Sequence, residues 1–210
     1  MNRRTMFGAC VCAVLGVAFV VNAAPKPKLP KITGGGVAEN LNAGPEFPET
    51  LQHFSISAHA TAEAEPAIFP APFFPSVVAA DYPAKGHVNL RNVLADNQSV
   101  TVSQTQGDVV CIANLGPSVD VDGDGNPELN VWEIRFQITK SQIANDDGEL
   151  EEVDLSQFPP LYGSIYVQDG GKEDFIDENF ERDLLLNPDC VVNPFFGLEP
   201  VTHGNITVHN

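Results

Sequence analysis

One stretch near the middle of the chain concentrates side chains able to do chemistry: Asp120-Val121-Asp122-Gly123-Asp124-Gly125-Asn126-Pro127-Glu128-Leu129. Carboxylates stand at alternate positions, Asp120, Asp122 and Asp124, and again at Glu128, with Gly125 in the sixth place. Calcium takes six to eight hard oxygen ligands, and short carboxylates at alternate positions of a curling chain converge on one point. Gly125 permits the sharp turn because it has no Cβ to clash. The Asn126 carbonyl fills the seventh position, and Glu128 the ninth, directly or through water. Four like charges this close repel one another unless a cation sits among them. Magnesium suits the loop less well, because it sheds its water reluctantly.

These residues resemble the calcium loops of integrin-type FG-GAP and VCBS repeats, and are similar to dockerin and EF-hand loops. The resemblance implies Asp120, Asp122, Asp124, Asn126 and Glu128 as ligands of Ca²⁺. It covers a single copy of the loop, and one copy builds no propeller. Position twelve, where an EF-hand supplies a bidentate Glu, is Val131 here. The expected affinity is therefore weak, on the order of 10⁻⁴–10⁻³ M, as in extracellular modules.

Chemistry elsewhere is sparse. His53, His59, His87, His203 and His209 show no metal-ligand spacing, and no nucleophile elbow or phosphate loop is present. No catalytic residue and no organic cofactor site is expected. The acidic runs 146–152 and 169–183 are read as solvated faces, with a second, weaker cation site as the rival use. Asn97-Gln98-Ser99 and Asn205-Ile206-Thr207 match the N-glycosylation pattern.

The elements that must hold the loop are strands. Val109 to Ala113 is a short apolar run, and Val131 to Lys140 alternates cleanly. Trp132, Ile134, Phe136 and Ile138 point one way, and Val131, Glu133, Arg135 and Gln137 the other. The loop is then a hairpin connection between the two. Phe54, Ile56 and Ala58 alternate with polar residues, Ser99 to Ser103 is rich in β-branched residues, and 161–167 and 204–209 read as further strands. The Pro-broken segment 66–75 reads as a loop whose Phe69, Phe73 and Phe74 cover one end of the core. Phe175 to Leu186 is the single short helix expected. The fold class is all-β, mainly antiparallel, a sandwich or a barrel-like sheet.

Composition narrows the class. The chain has 210 residues, 28 acids against 11 bases, and a formal net charge of −17. Phosphate contacts need clustered Lys and Arg, so nucleic acid is excluded as a partner, and docking on anionic membranes is disfavoured. A hydrophobic fraction of 43% suffices for a packed core.

Residues 1–23 read as a secretory signal: Arg3 and Arg4, an apolar run from Met6 to Val21, and small residues at Ala23 and Ala24. The run is short for a bilayer helix, so no membrane span is expected after cleavage. Residues 24–50, rich in Pro and containing Gly34-Gly35-Gly36, read as a tether that adds nothing to the core. Residues 51–210 read as one β domain. Cleavage removes Cys10 and Cys12, which leaves Cys111 and Cys190 to form a disulfide in an oxidising compartment.

The expected protein is secreted or surface-exposed, in the extracellular space or periplasm. It is a calcium-binding β domain with a structural, adhesive, matrix or assembly role. Its expected partners are other copies of itself, an extracellular protein or a glycan. The alternative is a secreted polysaccharide hydrolase that uses Ca²⁺ as a stabiliser.

Overall fold

The computed structural model describes residues 28–40, 49–68, 78–114, 131–169, 174–179, 190 and 199–209. They form antiparallel strands in chain order: β1 Lys31–Asn40, β2 Thr50–Ala60, β3 Glu65–Ile68, β4 Val78–Leu94 and β5 Thr101–Asn114. After these come β6 Val131–Ala144, β7 Leu150–Glu152, β8 Tyr162–Gln168, β9 Phe175–Asn179 and β10 Glu199–His209. A 3-10 turn at Leu155–Gln157 is capped by Asp154, whose side chain accepts from the Ser156 backbone N–H. Among the described residues no helix is long and apolar enough to cross a membrane. The all-β, antiparallel expectation is met.

Neighbours run β2-β1-β10-β9-β8-β6-β5-β4, and β4 pairs back onto β2. β3 extends the edge of β4, and β7 that of β6. The arrangement is barrel-like, but the hydrogen-bonded sheet is not continuous. Two residue pairs join β9 to β10, Glu199 with Ile176 and Pro200 with Phe175. Below them carboxylates take over the ladder. Asp174 Oδ2 accepts from the Ile206 N–H at 2.6 Å, and Asp169 Oδ2 from the Val208 N–H at 3.0 Å. A strand edge cannot be left dry and unpaired, and charged acceptors satisfy it well. Two acids of the run expected to be a solvated face therefore serve the sheet.

Alternation explains the interior. Ile32 of β1, Phe54 and Ile56 of β2, Val88 and Leu90 of β4, Trp132, Ile134 and Phe136 of β6, Ile165 of β8 and Ile206 of β10 share one core. The Tyr82 ring packs against Trp132 with centroids 6.0 Å apart. Two glycines fit the sheet to itself. At Gly107 of β5 a Cβ would collide with the Phe136 ring, so only glycine lets that ring lie flat there. Gly86 of β4 sits at φ +147° against the Ser57 carbonyl, where the β4–β5 register shifts.

Several expectations need correction. Within the expected tether, residues 31–40 are β1, paired with β2 on one side and β10 on the other, and Ile32 is fully buried. Gly34 and Gly36 read as loose linker residues, yet a Cβ at either would strike β10. The glycines serve close strand approach. Within the expected helix 175–186, residues 175–179 are β9. Residues 101–103 of the piece 99–103 and the whole of 109–113, expected as separate strands, belong to one strand, β5, with register shifts along its pairing. Pro66 stands in an edge strand, where a missing N–H costs little. Residues 1–27, the rest of the tether at 41–48, and Phe69, Phe73 and Phe74 lie outside the described residues.

Candidate functional site

β5 and β6 are antiparallel and end in register, Asn114 opposite Trp132. The hairpin relation expected of the calcium loop's flanks is therefore present. Asp120, Asp122, Asp124, Asn126 and Glu128 themselves lie outside the described residues.

What the described residues do bring together is a buried polar cluster on the outer face of the same two strands. Residues directly opposed in a sheet share a face. One row runs Asp81 (β4), Ala113 (β5), Glu133 (β6), Tyr166 (β8), and the next runs Pro83, Cys111, Arg135, Ser164. The alternation read for β6 is correct, but its polar face is not solvent-facing. Val131 through Phe136 are all buried, Glu133 and Arg135 completely. Strands covered on both faces place even charged side chains in the dry interior.

Ser164 links the two charged side chains, while the second Glu133 oxygen, Oε2, is buried without a hydrogen-bond partner among the described residues. Arg135 Nη1 donates to Ser164 Oγ at 2.7 Å, and Ser164 Oγ donates to Glu133 Oε1 at 2.7 Å. The Arg135 guanidinium lies over the Tyr162 ring, 5.9 Å from its centroid, a cation–π arrangement. Burial pushes the Glu133 carboxyl up to about 7, outweighing the hydrogen bond from Ser164 and the nearby positive charge of Arg135.

Beside this row Cys111 and Cys190 are joined, with Cα atoms 6.0 Å apart, as expected. Both are buried, packed with Ala113. An Asp81 carboxylate oxygen lies within 4.8 Å of both sulfurs. With the sulfurs bonded to each other, neither is a thiolate available to a metal.

The cluster's chemistry is that of a sealed network. Glu133, Arg135 and Ser164 have no solvent exposure. A shallow open depression lined by Thr139, Glu152, Val153, Asp154, Leu155 and Ser156 lies on the β6–β7 side and touches none of them. A charge-assisted network of this kind ties β6 to β8. The sequence carries a signal for it that periodicity alone does not weigh: Glu133 and Arg135 sit inside an otherwise apolar run. No family model, curated protein or solved structure matches the chain.

Proposed function

We propose that the chain is an exported β domain that binds Ca²⁺ in the β5–β6 connection and acts structurally, in adhesion, matrix or assembly. The ligands in this reading are Asp120, Asp122, Asp124, Asn126 and Glu128.

The observation that carries the reading is the clamp at the loop's base. Asn114 and Trp132 are paired, and three residues upstream Cys111 is tied to Cys190. A loop whose ends are already fixed gives up less entropy when it closes round an ion. This supports useful binding despite the missing twelfth-position carboxylate. The disulfide is compatible with an oxidising, extracellular compartment.

Thermal unfolding with and without Ca²⁺ tests this. At a calcium concentration about 100 times the dissociation constant, linkage predicts roughly 2.7 kcal/mol of stabilisation. For a chain of this size that raises Tm by about 5–10 °C. Asp122→Ala should abolish the rise. A wild-type Tm indifferent to Ca²⁺ at about 10–100 mM, a hundred times the expected dissociation constant, would end the proposal.

A further inference from the structure

The five histidines are scattered along the sequence, yet the register collects every one of them on one wall. A row across β4, β2, β1 and β10 reads Lys85, His59, Lys31, His209. Another reads Arg91, His53, Val37, His203, and His87 heads a row between them. The intervening residues Ile32, Ile56, Val88 and Ile206 are core, so these rows face outward. At ordinary strand spacing and rise the wall measures about 14 by 20 Å. Its other titratable neighbours include Asp169 and Asp174, whose carboxylates accept from the Val208 and Ile206 N–H groups of β10. Asp108 of β5 pairs with His87 at 2.7 Å. Glu39 is the penultimate residue of β1, and Lys140 of β6 lies beyond Gln106. Lys28, Glu49 and Glu63 flank the strand ends. On a chain with net charge −17 this wall is a local excess of cation and histidine.

The opposite character appears on the β6–β7 hairpin. Asp146, Asp147, Glu149, Glu151, Glu152 and Asp154 are all exposed there, and no base occurs between Ser141 and Asp169. Among the described residues four large apolar side chains are exposed: Ile143, Leu150 and Phe158, on this hairpin or just after it, and Leu29, two residues before Lys31 of the wall. Each surface thus pairs charge of one sign with exposed apolar area.

We propose that the histidine wall docks the acidic β6–β7 hairpin of a second copy of the chain, and that acidification strengthens the contact. Histidine is the side chain type that gains charge between pH 8 and 5. Two different surfaces meet, so the contact is heterologous and extends into rings or strings of copies. The wall covers about 300 Å², below the roughly 800 Å² per partner of stable interfaces, so association is weak and concentration-dependent. The inference rests on the assembly role proposed above but not on calcium.

Sedimentation velocity on the full chain tests it, in EDTA and in Ca²⁺, at pH 8 and at pH 6, where the protein is still well above its isoelectric point of about 4.4. Expected are monomers at pH 8, larger species at pH 6, and their dispersal in 0.5 M salt at about a 3–4 Å screening length. Association in EDTA keeps the result separate from the calcium reading. Lys85→Glu with Arg91→Glu should weaken association at least tenfold at unchanged Tm, and so should Asp147→Lys with Glu149→Lys. Mixing the two reversed proteins should restore it. Monomers at pH 6, or association untouched by wall reversal, would overturn the proposal. So would loss on wall reversal but not on hairpin reversal. Binding of a soluble anionic polysaccharide by a chain that stays monomeric would assign the wall to another partner and overturn it equally.

Discussion

Glu133 is where burial and hydrogen bonding oppose each other most strongly. Dehydration favours the protonated carboxyl, while Ser164 and Arg135 favour the charged one, and dehydration prevails. The consequence for stability has a definite sign. The folded carboxyl ionises near 7 and the unfolded one near 4.5. Between those values the folded state holds a proton that the unfolded state has released. The stabilisation is therefore complete below pH 4.5 and is lost as pH rises through 7. For a shift of this size the swing is about 3 kcal/mol. Urea midpoints from pH 5 to 8.5 should fall with rising pH, and Glu133→Gln should flatten that fall relative to wild type. Equal slopes in the two proteins would mean that Glu133 does not titrate in this range. Arg135→Ala is the harsher change. It strips a donor from Ser164 and leaves Glu133 without its neighbouring cation, at a cost of about 3–5 kcal/mol.

At the scale of elements, β1 and β6 show why pattern and environment have to be read together. β1 holds three consecutive glycines and a single large aliphatic residue before Val37, a composition that favours a loose linker. It is a strand because β2 and β10 offer two ladders that it alone can fill, and because glycine lets them come close. Ile32→Ala should cost about 2–4 kcal/mol in chemical denaturation, whereas Thr33→Ala, on the outer face, should change stability by less than about 0.5 kcal/mol. If both substitutions were silent, β1 would contribute nothing to the core. β6 gives the converse lesson. Its alternation is plain in the residues, but whether the Glu133 and Arg135 face is wet or dry depends on β8 and on Cys190, remote in sequence.

At the scale of the molecule, the ring of pairings, its carboxylate-bridged seam and the disulfide act together. The bridge spans a sequence separation of 79, and the chain-entropy argument assigns a loop of that size about 4.5 kcal/mol of stabilisation. Reduction, or Cys111→Ser with Cys190→Ser, should lower the denaturation free energy by up to that amount. Peptide mapping of the unreduced protein should show one bridged pair. The uneven distribution of charge also belongs to this scale, because histidines on β2, β4 and β10 become neighbours only through the sheet register.

The residues alone determine much about this protein: an all-β chain, its main strands and a spaced run of acids. Those properties are written in local alternation, composition and counting, and each is decided within a few residues. The tertiary structure decides what depends on partners far away in the chain. It makes a strand of a glycine-rich leader, dries the polar face of β6 and turns Asp169 and Asp174 into ladder acceptors. It also assembles one wall from histidines that have no spacing in the sequence. The reason is physical. Burial, proton affinity and surface potential are set by what lies across the sheet, and sheet neighbours are chosen by register, which a linear pattern does not contain.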